Sequence, residues 1–157
     1  MDTSNVNNSQ SNFYTIYLTG ILIFIGISGC FSVLFGAWFA HAGVNLSNEV
    51  QSRLANALQY QFFHTLALFA LAVWLQTLMG KHNAAKVIKI LYLSATFFIV
   101  GILFFSGVLY IKTFFDYTAI GNIVPFGGMS FARGGLCISW AGINRTVKNL
   151  STVQDRL

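Results

Sequence analysis

Long apolar runs broken by short polar stretches set the pattern of this chain. No Asp, Glu, Lys or Arg occurs between Asp2 and Glu49, between Arg53 and Lys81, or from Ile90 to Ile111. Each run is long enough to cross a hydrocarbon core, for which about 20 residues suffice. A fourth apolar run, about 125–143, differs in containing Arg133. The pattern predicts spans over about 15–40, 58–79, 90–111 and 125–143: an all-α membrane protein built as a four-transmembrane-helix bundle. Residues 1–14, rich in Asn and Ser, read as a disordered polar tail, and 146–157 as a cytoplasmic tail.

Local signals refine these elements. Ser47 is a plausible N-cap with Glu49 in the first turn behind it, so the second helix is expected to begin before it enters the membrane. Gly121, Asn122 and Pro125 break the chain after the third span, and Pro125 suits the first turn of the fourth. In the first span Ser28, Ser32, Gly36 and Ala40 recur every four residues, which aligns small side chains along one stripe and predicts a close helix neighbour. Gly128, Ala132, Gly135, Ser139 and Gly142 suggest a second packed face on the last span.

Composition agrees with the pattern. Hydrophobic residues make up 55% and charged residues 8%, against the roughly 25% charged content of a soluble domain. Mean hydropathy is +0.66. The net charge of +5 does not form a basic stripe interleaved with aromatics, so nucleic acid is not an expected partner. Lys81, Lys86, Lys89, Arg145, Lys148 and Arg156 fall on the side of the termini, while Arg53, Lys112 and Arg133 fall on the other. Because positive charge stays in the cytoplasm, both termini are expected inside, with the loops 41–53 and 116–124 outside. Cys30 and Cys137 lie in apolar runs without a Cys or His at metal-ligand spacing and read as small buried residues.

Candidate chemistry centres on the start of the second span, LQYQFFHTLALFALAVWLQTLM. Arg53, Ala57, Tyr60 and His64 follow at helical spacing, placing their polar members on one face with Gln61 beside it. His41, Tyr60, Gln61, His64, Ser106 and Tyr110 would gather toward the outer half of the bundle. Two readings stand: His64 and Tyr110 hydrogen-bond across helices and set their register, or the cluster lines a ligand or partner pocket. Arg133, eight residues past Pro125, would lie about 12 Å below the outer surface. It would there meet a lipid phosphate, an anionic ligand or a partner's acid, unless the fourth helix starts later and leaves it near the headgroups. Paired carboxylates, a Ser/His/Asp set at membrane depth and a phosphate-binding Gly-rich loop are all missing, so the chain is expected not to be an enzyme.

Four segments in order, GAWFAHAG (36–43), LQYQFFHTLALFALAV (58–73), GILFFSGVLY (101–110) and IVPFGGMSFARG (123–134), resemble the successive signatures of one family. It is the YgdD/YwdK-like family of small bacterial inner-membrane proteins, domain of unknown function four-two-three, which has mitochondrial relatives. The resemblance covers roughly residues 16–145 and implies a four-helix protein of the bacterial inner membrane. His41, Tyr60, Gln61, His64, Ser106, Gly107, Tyr110, Pro125, Gly127 and Gly128 fall in its motifs. Arg133 departs from the pattern, which implies a small or apolar residue there, and Gly135 stands where Trp is common.

The functional expectation is an accessory or scaffold protein that binds membrane lipid or another integral membrane protein, itself included as a homo-oligomer, through the outer polar cluster. No cofactor is expected. The alternative is a small carrier or cofactor-binding protein that holds haem, copper or quinone with His41 and His64.

Overall fold

A computed structural model describes the backbone of residues 3–81, 84–115 and 118–154, with side chains for 12–81, 84–115 and 119–147. Four long helices follow one another: α1 (Thr3–Ala42), α2 (Asn48–Leu78), α3 (Ala85–Phe114) and α4 (Val124–Gln154). Among the described residues there is no strand. The stretches Asn12–Asn45, Asn48–Leu78 and Ala85–Phe114 are long and apolar enough to cross a membrane. Helix α1 begins at Thr3, so residues 3–14, read above as a polar tail, continue the first helix.

The connections follow from their residues. Ser47 caps α2, its hydroxyl accepting from the Val50 amide at 3.5 Å, and Glu49 in the first turn pairs with Arg53 at 2.6 Å. Gly80, at φ +79°, ends α2 in a left-handed conformation that costs glycine nothing. A 3-10 turn over Thr118–Ile123 leads into α4, where Pro125 occupies the first turn. Residues 102–107 of α3 are π-helical, so this helix carries one wide turn in mid-course.

Helix α1 packs on α2, and α4 packs along α3. Leu54, Ala57, Gln61, Thr65, Leu68, Leu71 and Leu75 form the buried stripe of α2. Near the Lys81 end, Tyr92 donates from its hydroxyl to the Tyr14 carbonyl at 2.8 Å and stacks on the Tyr14 ring. One turn further along α3, the Tyr17 hydroxyl bonds Thr96 Oγ1 at 2.5 Å. These bonds hold α1 to α3 at that end. In mid-bundle they give way to Leu18, Ile21, Leu68, Leu91, Ala95 and Phe98.

The α3–α4 seam is built from rings set over glycines. The Phe131 ring of α4 lies on Gly101 of α3, and the Phe98 ring of α3 lies on Gly134 of α4. Ser94 donates from its hydroxyl to the Gly134 carbonyl at 2.7 Å. Gly127 sits against the backbone of Phe104 and Phe105 in the π-helical turn, too close for any side chain. The packed face of α4 is therefore Gly127, Ser130, Phe131, Gly134 and Ala141. Gly128 and Gly135, assigned above to the packing stripe, have open space where a Cβ would stand. The small-residue periodicity runs one residue out of register with the contacts, because rings over glycine decide this seam rather than small residues alone. On α1 the stripe does pack: Ser28 and Ser32 are buried and Gly36 faces Leu58, while Ala40 lies beyond the contact and is exposed. Cys30 is exposed and Cys137 half-buried, a correction to the buried reading. A helix apolar on every side does not reveal in its sequence which side meets protein.

Candidate functional site

The polar groups of the bundle meet where α1, α2 and α3 converge, and their hydrogen bonds form a directed relay. Tyr110 donates from its hydroxyl to Gln61 Oε1 at 2.9 Å. The Gln61 Nε2 group donates to the Ser28 carbonyl and the Ser28 hydroxyl, both at 3.2 Å. Thr65 donates to the Gln61 carbonyl at 2.8 Å, so the 2.7 Å contact between Ser28 Oγ and Thr65 Oγ1 has Ser28 as donor. Ser32 adds a further bond to the Ser28 carbonyl at 2.8 Å. Every donor in the set is used, which is what a polar group removed from water requires. What remains free is acceptor capacity on Gln61 Oε1 and the Tyr110 oxygen.

A groove of about 190 Å³ lies in front of this relay, between α1 and α3. Phe24, Ile27, Phe31, Ile102 and Leu103 supply its apolar walls, and Ser28, Gln61, Gly107 and Tyr110 complete its lining. Toward the Lys112 end, Phe31 and Phe35 pack against the Tyr110 ring at 5.4 and 4.8 Å, and Trp38 and Phe114 extend the aromatic cluster.

His64 faces elsewhere. Its ring stacks on Phe131 with centroids 3.6 Å apart and meets the edge of Phe98, while Nδ1 bonds the Tyr60 carbonyl at 2.8 Å. The cross-helix bond between His64 and Tyr110 that the sequence suggested is replaced by Gln61–Tyr110. The reason is register. Gln61 shares the buried stripe with Leu54, Ala57 and Thr65, while Tyr60 is exposed and His64 half-buried on the flank toward α4. Tyr60 packs on Phe105 at 4.6 Å and stacks near His64 and Phe131.

The remaining candidates separate. His41 is exposed at the end of α1 and has no hydrogen bond or ring contact with His64 among the described residues. Among those residues no three His, Cys, Asp or Glu side chains are placed to hold a metal. Ser106 is fully buried in the π-helical turn, and its hydroxyl has no hydrogen-bond partner among the described residues. Arg133 is exposed on α4, beside rather than within the face packed on α3. The sequence reading missed Thr65 and the relay role of Ser28. Gln61 and Thr65 stand at i and i+4, and that spacing was the available signal.

Comparison with known proteins now bears on these residues. A family model described as "Protein of unknown function (DUF423)" matches residues 35–128, more than half of the chain. The chain belongs to this family. It is 33% identical over 120 residues to a UPF0382 membrane protein of Haemophilus influenzae, covering 76% of this chain and 90% of that one. It is 34% identical over 115 residues to the UPF0382 inner membrane protein YgdD of Escherichia coli K12, covering 73% and 82%. To the UPF0382 membrane protein YwdK of Bacillus subtilis it is 29% identical over 125 residues, covering 76% and 89%. No solved structure matches the chain. Relatives named as inner membrane proteins, together with helices long enough to span, make this a multi-pass protein of the bacterial inner membrane. The matched stretch contains Gln61, Thr65, Ser106, Tyr110 and Gly127, whereas Ser28 and Arg133 lie outside it.

Proposed function

We propose that the protein is an accessory, non-catalytic membrane component that holds the hydrocarbon chain of a membrane lipid in the groove between α1 and α3. The observation that carries this reading is the groove itself: apolar walls set laterally in the bundle, in front of a hydrogen-bond relay that needs nothing from a ligand. A site whose donors are all engaged suits a chain or a hydroxyl-bearing lipid better than a carbonyl or an anion.

The fold that presents the groove is read as four membrane crossings with both termini in the cytoplasm. Helix α4 supports the fourth crossing, because it contacts the charge-free part of α3 from Ser94 to Phe105 and so lies at the same depth. Six basic residues on the side of the termini against two, Arg53 and Lys112, on the other support the orientation.

The test uses a photoreactive lipid carrying a diazirine in its acyl chain, incorporated in cells before gentle detergent extraction. The expected result is labelling of the peptides containing Ile27 and Leu103. Ile27 is exposed and lines the groove, so Ile27→Trp fills it without touching the relay, and labelling should fall about tenfold. Equal labelling of the outward faces of α1 and α3 in both proteins would reduce the groove to ordinary lipid contact.

A further inference from the structure

Arg133 is the charge the bundle leaves unexplained. Its depth follows from its neighbours: Phe131 lies over Gly101, and Gly134 lies against Phe98 with its carbonyl bonded to Ser94. Arg133 is therefore level with about residue 97 of α3. At 1.5 Å per residue this is about 12 Å from the level of Lys89 and about 22 Å from that of Lys112. Pro125 itself sits near the level of the π-helical turn, so Arg133 is deeper, measured from the outer side, than its distance from Pro125 suggested. Helical side chains lean toward the N-terminus of their own helix, which for α4 is away from the nearer, Lys89 end. Snorkelling toward Lys89 works against that lean, and snorkelling toward Lys112 has too far to go.

Among the described residues nothing neutralises the guanidinium. Among the described residues Arg133 has no ion pair or hydrogen bond, and no Asp or Glu lies in the apolar runs. The face around it is otherwise apolar, with Met129, Leu136 and Trp140 all exposed. Immediately toward Lys89, a groove of about 560 Å³ runs between α3 and α4, lined by Ile90, Leu93, Leu136, Cys137 and Trp140 among others. A second copy does not answer the charge. It would bring no carboxylate to this depth, and a two-fold contact through this face would set arginine near arginine.

We infer that Arg133 and the adjoining α3–α4 groove form the docking surface for a transmembrane helix of another protein, one that carries an Asp or Glu within its span. The groove seats the helix, and its carboxylate meets the guanidinium in a charge-assisted, bidentate pair. In hydrocarbon such a pair is favoured because each unpaired partner would bear the full cost of desolvation. This surface lies on a different face from the lipid groove and does not depend on it.

The experiment places a photoreactive amino acid at Leu136, which is 70% exposed, in the full-length protein in its native membrane. Irradiation should give an adduct with one polypeptide whose sequenced span contains an acid. Arg133→Gln should lower its yield at least about tenfold, Arg133→Lys should lower it less, and replacing the partner's acid by its amide should match Arg133→Gln. Thermal unfolding of Arg133→Gln in detergent should show no loss of stability, since among the described residues the side chain makes no hydrogen bond or ion pair with its own chain. Ile27→Trp should leave the adduct unchanged. Adducts with lipid alone, with a second copy, or with a partner lacking an intramembrane acid would overturn the inference, as would a yield indifferent to Arg133→Gln.

Discussion

Gln61 uses both ends of its amide, accepting from Tyr110 and donating to Ser28, so one side chain ties three helices. Removing it and removing Tyr110's hydroxyl should therefore have unequal costs. Tyr110→Phe deletes one bond and leaves Gln61 Oε1 without its donor, a loss of about 0.6–1.5 kcal/mol by the scale of interhelical bonds in membranes. Gln61→Leu strands the Tyr110 hydroxyl and removes both bonds to Ser28, and should cost about 2–3 kcal/mol. Denaturant titration of the detergent-solubilised protein checks the order, and equal costs would mean that the bonds from Gln61 to Ser28 add nothing to stability. His64 presents a contrast at the same scale. Its ring serves as a flat partner for Phe131, which an aromatic ring of another kind would also supply. The sequence pointed to His64 because it is ionisable, and nothing in it singled out Thr65 beyond its spacing from Gln61. Yet Thr65 is buried in the stripe and His64 stands at its flank.

At the scale of elements, the α3–α4 seam shows how one residue of register separates a packed glycine from an idle one. A Cβ on Gly134 would stand 2.5 Å from Cε1 of the buried Phe98 ring, while one on Gly135 would meet nothing within 4 Å. Gly134→Ala should destabilise the protein by about 1–3 kcal/mol, and Gly135→Ala should be neutral or slightly stabilising. Gly127→Ala should cost more than either, since the clash is with the backbone of Phe104 and Phe105, which cannot rotate away. Unfolding midpoints of the three variants check this ranking, and an equally damaging Gly135→Ala would shift the helix by one position. The π-helical turn belongs to the same seam. Gly127 comes against its Phe104–Phe105 backbone, so the turn and the start of α4 fit only each other. The IVPFGG segment acquires a physical reason here: proline opens the helix, and the first glycine of the pair gives contact with the turn.

For the whole molecule the consequence to check is orientation, with basic residues on the side of the termini meeting the cytoplasm. In a background with Cys30 and Cys137 replaced by alanine, single cysteines in place of Lys86 and Asn122, both exposed, report opposite sides. An impermeant thiol reagent added to cells should label the Asn122→Cys protein and leave Lys86→Cys unlabelled until the membrane is opened. The reverse pattern would invert the bundle. It would turn the aromatic cluster of Phe35, Trp38 and Phe114 toward the cytoplasm.

The apolar runs by themselves determined that this chain is helical and lives in a bilayer, because a hydrocarbon solvent admits few other ways to satisfy a backbone. Ser47, Glu49 and Pro125 likewise carried their caps and turns in plain view, since those are local matters of one or two dihedral angles. Which face of each helix meets protein was decided only in three dimensions. In water a polar face marks the outside, but here lipid is as apolar as a neighbouring helix, and the stripe containing Gln61 and Thr65 looks much like its flanks. The pairing of Gln61 with Ser28 and Tyr110, of His64 with Phe131, and the isolation of Arg133 all depend on that choice of face. Hydrogen bonds and ring contacts between segments far apart in the chain made it.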